Sequence, residues 1–368
     1  MNKMIVANLT HRPLRSAISI VAIALEVTLI LLIVGFSLGQ LNSTRKRQEG
    51  IGADVIVLPP GSQQFVGVTG APMPVKIGDL IAKLPHVAVV SPVYIQISTT
   101  GSLQNIYGID LKSFEALRPF TYLKGGPFRG ENDLLVDDVY AEGHRAKVGD
   151  SVELLNHTFR ICGIVAQGQG SRIFVPLSTL QQLNGAATPP KTSAFYIKAD
   201  TRSNTATVLD EIKLIPNMGA YKVYSMHEYL SMLTPDNIPM LATFIHIVIG
   251  ISVTIGVIVI FQAMYTAVME RTREIGILKS LGASKLYIVN VILRETGLLA
   301  IGGIAVGIGI SFAASAVIHQ RYPTLPVEIS THWIGRAVII AMIGALAGAL
   351  YPAFKAAQKD PIDALAYE

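Results

Sequence analysis

The sequence predicts an α-helical membrane protein with four transmembrane helices and an α+β domain inserted between the first and the second. Three observations predict it. Of 368 residues, 51% are hydrophobic and only 15% charged, against about 25% charged in a typical soluble domain. Four windows, Ser16 to Thr44, Asn237 to Met269, Thr296 to Gln320 and Ala337 to Phe354, hold almost no acidic or basic residues. Each is long enough to cross a bilayer, because roughly 17 to 25 apolar residues at about 1.5 Å per residue span a hydrocarbon layer of ~30 Å. Between the first two windows lies a long segment that mixes strand-like and helix-like patterns.

In chain order, residues 1-15 read as a cytoplasmic N-terminal interfacial segment and 16-44 as TM1. The apolar core from Ala17 to Leu38 exceeds the roughly 7 to 15 residues of a secretory h-region, so it reads as a retained anchor. Residues 45-236 form the extracytoplasmic domain with its stalk. There "ADVIVLP", "HVAVVSPVYIQIS", "SVELLNHTFRICGIV" and "SAFYIKAD" are rich in β-branched and aromatic residues, as strands are. "IGDLIAKL", "LSTLQQL" and "NTATVLDEIKLI" carry apolar residues at helical spacing. In "KVGDSVEL", Gly149 and Asp150 make a turn that feeds a strand. "STRKRQEG" and "SMHEYLSML" flank the neighbouring spans and are expected to prolong them as helices into a stalk. TM2 follows at 237-269, a cytoplasmic helix at 270-284, TM3 at 285-320, a short extracytoplasmic loop at 321-336, TM4 at 337-354 and a cytoplasmic tail at 355-368.

Orientation follows from Lys and Arg near the span ends, which favour the cytoplasmic side. One side collects Lys3, Arg12, Arg15, Arg271, Arg273, Lys279, Lys285, Arg294, Lys355 and Lys359; the other has Arg45, Lys46, Arg47, Arg321 and Arg336. Both termini are therefore expected in the cytoplasm. The net charge of +5 clusters beside the spans, so membrane topology accounts for it and nucleic acid is not an expected partner.

The chemistry of an enzyme is not visible. No G-x-x-x-x-G-K-[ST], H-E-x-x-H or G-x-G-x-x-G occurs, so neither a phosphate cradle nor a zinc-protease helix is present. The eight histidines include no pair at helical spacing, and Cys162 is the only cysteine. No catalytic residue and no metal site is expected.

Two intramembrane features stand out. Glu26 is the only acidic or basic residue of TM1's core and lies about 15 Å into the layer. A carboxylate there costs on the order of 2.5 to 3.5 kcal/mol, so it should face protein or water. Either it hydrogen-bonds a neighbouring span, for example at Gln262, or it faces its own copy across a dimer axis, where paired carboxylates would hold a cationic or metal-bearing amphiphile. Gly303 with Gly307 and Gly344 with Gly348 are G-x-x-x-G pairs that allow close helix packing within the bundle or the dimer.

"MERTREIGILKSLGASKLYI", Met269 to Ile288, places charges between two apolar spans. Ile275, Ile277, Leu278 and Leu281 give one apolar side, and Glu270, Arg271, Arg273, Glu274 and Lys279 decorate the rest. Gly282 suits the position past the helix end, and Ser284 the N-cap of the next helix. On pattern alone this is either an interfacial cap with solvated charges or a lever that fits a partner's groove.

"ERTREIGILKSLGAS" resembles the cytoplasmic coupling segment of the MacB/FtsX/LolC-type ABC transporter permeases (type VII), and "YPAFKAAQKDPIDALAYE" resembles that family's ending. The resemblance implies that Glu270 to Leu281 contacts a cytoplasmic ABC ATPase subunit, which would bind the ATP and Mg; no cofactor is then expected on this chain. MacB itself carries its ATPase on the same chain, whereas here TM1 follows closely on Met1. It also implies a MacB-like periplasmic core domain, a permease homodimer or heterodimer in the bacterial inner membrane, surrounding lipids, and optionally a periplasmic adaptor or substrate protein. The implied function is mechanotransmission: ATP-driven motion that exports or extracts an amphipathic or hydrophobic substrate such as a lipid, lipoprotein, peptide, drug or haem. The alternative is an FtsX-like subunit that activates a cell-wall hydrolase without transport.

Overall fold

The structure, a computed structural model, describes residues 13–62, 70–98 and 104–359. Residues 1–12 of the N-terminal interfacial segment, with Lys3 and Arg12, and residues 360–368 of the tail lie outside the described residues, whereas residues 13–15 belong to the first helix. The chain divides into a helical unit (Met1–Gly39, Met240–Arg321, Val327–Glu368) and an inserted unit (Gln40–Pro239, Tyr322–Pro326).

The helical unit is built from α1 (Pro13–Gly50), α2 (Pro239–Glu270), a short α3 (Thr272–Ser280), α4 (Lys285–Arg321) and α5 (Thr331–Gln358). All four long helices are long and apolar enough to cross a membrane. α1 continues beyond Thr44 to Gly50, as expected of "STRKRQEG", whereas α5 begins at Thr331 and runs to Gln358 instead of spanning 337-354. Charged side chains at a span's end can extend toward the polar interface while their backbone stays hydrogen-bonded in the helix. Charge therefore marks the apolar layer, not the helix end.

The core of this unit is apolar on every helix: Ile23, Val27, Ile30 and Val34 from α1, Ile260 and Met264 from α2, Ile288, Ile292 and Ile304 from α4. α5 contributes a face of small residues, Ala337, Ala341, Ala345, Ala349 and Ala353, all buried. Small residues let backbones approach where lipid offers no hydrophobic drive between helices. A Cβ on Gly303 would stand 2.6 Å from Cβ of Ile23, and one on Gly307 would stand 2.7 Å from the carbonyl oxygen of Ala24. Both α4 glycines thus pack on α1 of the same chain, where Thr28 also donates to the Gly307 carbonyl (3.1 Å). Gly348 meets the Val257 carbonyl of α2 with the same closeness, 2.7 Å, whereas Gly344 has nothing nearer than 3.7 Å.

The inserted unit is a mixed sheet. Its strands are β1 (Val55–Leu58), β2 (Met73–Pro74), β3 (Val87–Ser98), β4 (Gln104–Ile109), β5 (Tyr122–Gly125), β6 (Asp133–Asp137), β7 (Ser151–Leu154), β8 (His157–Val165), β9 (Ile173–Pro176), β10 (Lys191–Thr192), β11 (Ala194–Ala199) and β12 (Lys222–Ser225). Among the described residues the main sheet runs β12-β1-β11-β3-β4-β9-β6-β8-β5, with β7 also on β8 and β2 paired with β10 apart. Only β4 with β9 and β6 with β8 are parallel.

The two-residue period of a strand sends alternate side chains to opposite faces. Ile56, Tyr107, Leu135, Phe174 and Tyr196 form one continuous core on one face. Their sequence neighbours turn the other way and divide between two cores, one holding Val55, Val57, Phe195 and Ile197, the other Ile106, Leu134, Val136, Ile173 and Val175. Short helices cover both faces, which is why these strands read as unbroken apolar runs.

Two local expectations are corrected. "SVELLNHTFRICGIV" is not one strand but the hairpin β7–β8, because Leu155 and Asn156 both take positive φ (55° and 59°), the geometry of a two-residue type I′ turn. "SMHEYLSML" does not prolong TM2 continuously. Its helix, Met226–Ser231, is separate from α2, which starts at Pro239. Pro235 and Pro239 lack the N–H groups that would carry a helix across.

Candidate functional site

α3 is nine residues long, too short to hold its shape without support. Its end is fixed locally. Gly282 takes φ +94° and donates to the Lys279 carbonyl (3.0 Å), while Ala283 donates to that of Leu278 (3.0 Å); together these make a Schellman cap. The N–H of Tyr287 then donates to Ser284 Oγ (3.2 Å), which starts α4.

The helix has a clear inside. Thr272 and Gly276 are buried, and Ile275 and Leu278 pack against the apolar core of the helical unit. Outside stand Arg273 and Glu274, both exposed, with Ile277 44% and Leu281 81% exposed. Ile277 and Leu281 are four residues apart and so project from one side. The single apolar side expected from the sequence is thus divided: Ile275 and Leu278 face in, and Ile277 and Leu281 face out. Glu270, at the end of α2, is exposed.

Two of the expected surface charges are not on the outer face. Arg271 Nη1 donates to both carboxylate oxygens of Glu295 on α4 (3.3 and 3.1 Å), and the two side chains are only 13% and 4% exposed. Lys279 donates to the Ala357 carbonyl (3.0 Å) and to that of Lys359, at the end of α5. Helical rotation decides this. Positions 272, 275, 276 and 279 share one side of α3 and 273, 277 and 280 the other, which places Lys279, whereas Arg271 stands at the non-helical junction before α3. Glu295 was missed in the sequence because it falls just before the charge-free window of TM3.

Glu26 is 4% exposed and lies against α2 and α5. A Cβ on Gly256 would come within 2.0 Å of its Oε2, and one on Gly344 within 3.7 Å of its Oε1. Oε1 has no hydrogen-bond partner among the described residues. Among the described residues Glu26 makes no hydrogen bond to Gln262; its carboxyl packs against Gly256 of α2 and Gly344 of α5. Gln262 sits six residues beyond Gly256, about 9 Å along the helix. There it lines an apolar groove of about 580 Å³ with Leu14, Ile18, Ile258 and Glu270.

"GFSLG", Gly35 to Gly39, spells G-x-S-x-G, but it lies within α1, and Ser37 Oγ donates to the Ile33 carbonyl (2.9 Å). A nucleophile elbow needs a strand-to-helix turn, which is absent there. Among the described residues no cluster of His, Cys, Asp and Glu is arranged to hold a metal ion.

In the inserted unit, the last turn of α1 seats in the continuous core. Gln48 donates to the Tyr107 hydroxyl (2.8 Å) and accepts from that of Tyr196 (2.8 Å). A Cβ on Gly50 would fall 1.6 Å from the Gly168 carbonyl, so no other residue fits there without the loop moving. Nearby, Asp137 accepts from the Tyr140 N–H (2.6 Å), but its Oδ2 has no partner among the described residues. Burial pushes its carboxyl up to about 6, partly offset by that N–H and by Arg172.

With this geometry in place, comparison with known proteins is decisive for the family. Residues 16–215 match the MacB-like periplasmic core domain, and residues 246–361 match the FtsX-like permease C-terminal domain. The chain belongs to the MacB/FtsX family of ABC transporter permeases. Macrolide export ATP-binding/permease protein MacB of Bdellovibrio bacteriovorus is 24% identical over 98% of this permease and 60% of its own length. The uncharacterized ABC transporter permease YknZ of Bacillus subtilis is 30% identical over 60% of the chain and 55% of its own. The chain thus spans somewhat more than half the length of these relatives. The crystal structure of the periplasmic region of MacB from Actinobacillus actinomycetemcomitans aligns with 49% of the chain and 92% of its own, at 14% identity and a TM-score of 0.39.

Proposed function

We propose that this chain is the membrane subunit of an ABC exporter in the bacterial inner membrane, with both termini cytoplasmic. A cytoplasmic ATPase subunit docks on α3, and its ATP-driven motion passes through the spans to the extracytoplasmic domain, which expels an amphipathic or hydrophobic substrate. The observation that carries this reading is the outer face of α3. Two apolar side chains, Ile277 and Leu281, stand exposed beside Arg273 and Glu274, the anchors and flanking charges of a helix that lies in a groove. The naming of full-length relatives as ATP-binding/permease proteins for macrolide export supports both an ATPase partner and an amphipathic substrate. Two such chains related by a two-fold axis would complete the transporter.

The test is reconstitution of the chain with its P-loop ATPase in nanodiscs. Exchanging charge by Arg273→Glu with Glu274→Arg leaves the thermal midpoint unchanged, since exposed charges contribute within about 0.5 kcal/mol, and abolishes stimulation of ATP hydrolysis. Full stimulation in that variant would remove α3 as the docking element. Activation of a cell-wall hydrolase with no substrate released would favour the FtsX-like reading.

A further inference from the structure

We infer that Glu295 is a positioning residue for coupling: its ion pair with Arg271 makes α3 and α4 move as one body. The inference rests on the docking role of α3. Load applied at Ile277 and Leu281 enters on the outer face of a nine-residue helix. What happens next depends on how the inner face is held. The apolar contacts of Ile275 and Leu278 are non-directional, so they do not by themselves fix one register of α3 on the bundle. The Arg271–Glu295 contact is different in kind. One guanidinium nitrogen reaches both oxygens of a carboxylate that is 4% exposed. Displacing α3 along α4 would separate two charges where water cannot restore them, and breaking a buried pair on one side is strongly unfavourable.

Position gives the pair its mechanical meaning. Glu295 lies ten residues into α4 from Lys285, about 15 Å along the helix. Arg271 stands at the junction of α2 and α3. The start of α3 is therefore pinned nearly three turns along α4, while Lys279 ties its other end to the carbonyls that close α5. A cavity of about 60 Å³, walled by Met264, Val268, Ile275, Ile288 and Ile292, borders the pair.

The test uses the chain in nanodiscs with its ATPase, Cys162→Ser as background, and nitroxides at Ser280→Cys on α3 and Leu298→Cys on α4, both exposed. The α3–α4 distance should stay single and unchanged between nucleotide-free and vanadate-trapped complexes. Glu295→Leu alone removes the buried carboxylate that Arg271 meets and is expected to lower the thermal midpoint. The decisive variant is Arg271→Met with Glu295→Leu, in which neither charge remains and the fold is kept. It should retain ATPase binding and thermal midpoint, show an α3–α4 distance that changes with nucleotide, and lose roughly tenfold in stimulated ATP hydrolysis, within the range for residues that carry coupling without touching a ligand. Unchanged distance and full stimulation in the double variant would overturn the inference and leave the docking role intact. Failure of the unaltered chain to bind the ATPase would overturn both.

Discussion

Gln48 and Glu26, one buried polar side chain from each unit, are held in opposite ways. In the inserted unit, Gln48 is fully buried, and both ends of its amide are matched, by Tyr107 and by Tyr196. In the helical unit, Glu26 is equally enclosed, yet Oε1 has no hydrogen-bond partner among the described residues, and its neighbours are glycines. The sheet unit is specified by directional hydrogen bonds joining distant strands. The helical unit is specified by shape, because helices satisfy their own backbones and meet wherever small residues allow. Perturbing hydrogen bonds should therefore damage the first, and adding volume should damage the second.

The largest effect expected is from volume in the bundle. Gly303→Leu adds bulk where even a Cβ would overlap Ile23, and overpacking of that degree costs about 3 kcal/mol or more. Thermal unfolding in detergent should show a large fall in midpoint, whereas Gly344→Ala, with its nearest contact at 3.7 Å, should be near neutral. Equal effects from the two would break the shape argument.

Asp137 tests the comparison from inside the sheet unit, because it too is buried with an unpartnered oxygen. Its folded carboxyl titrates at about 6, above its ordinary 3.8, so the folded chain holds the proton more tightly. The stability this provides is complete below about pH 3.8 and is lost as pH rises through 6. Asp137→Asn keeps the cap acceptor and removes the charge. Its advantage over the parent should grow by on the order of 2 kcal/mol between pH 4 and 7.5. An advantage independent of pH in denaturant titrations would contradict the burial argument.

Gln48→Met keeps length and volume but removes the amide that two buried tyrosine hydroxyls share, at a cost of about 1–3 kcal/mol. Urea unfolding should place this loss in the inserted unit; a neutral result would show that its directional network is dispensable. The smallest change is Gly256→Ala, whose Cβ would meet the carboxyl end of Glu26, 2.0 Å away, and should cost roughly 1 kcal/mol. In a double-mutant cycle with Glu26→Ala most of that loss should disappear; strict additivity would mean that the two residues do not meet.

Much of this architecture was legible beforehand. Apolar length marked the four spans, two-residue alternation and β-branched runs marked β1, β3 and β11, and Gly282 with Ser284 marked the break between α3 and α4. These are decided within a few neighbouring residues, by hydrogen-bond spacing and by the backbone freedom of glycine. The hairpin at Leu155 and Asn156 escaped because neither Gly nor an Asn-Gly pair announced the turn.

The sequence by itself determined the four spans, the strands β1, β3 and β11, and that a charged amphipathic helix joins TM2 to TM3. Only the tertiary structure decided that Arg271 turns inward to Glu295 while Arg273 turns outward, that Glu26 rests on Gly256 instead of Gln262, and that Gln48 lies between two strands 89 residues apart at Tyr107 and Tyr196. The physical reason is range. Periodicity records how a residue relates to its own turn of helix or pleat, whereas the partner of a buried charge is set by which distant helix the packing of small residues brings alongside.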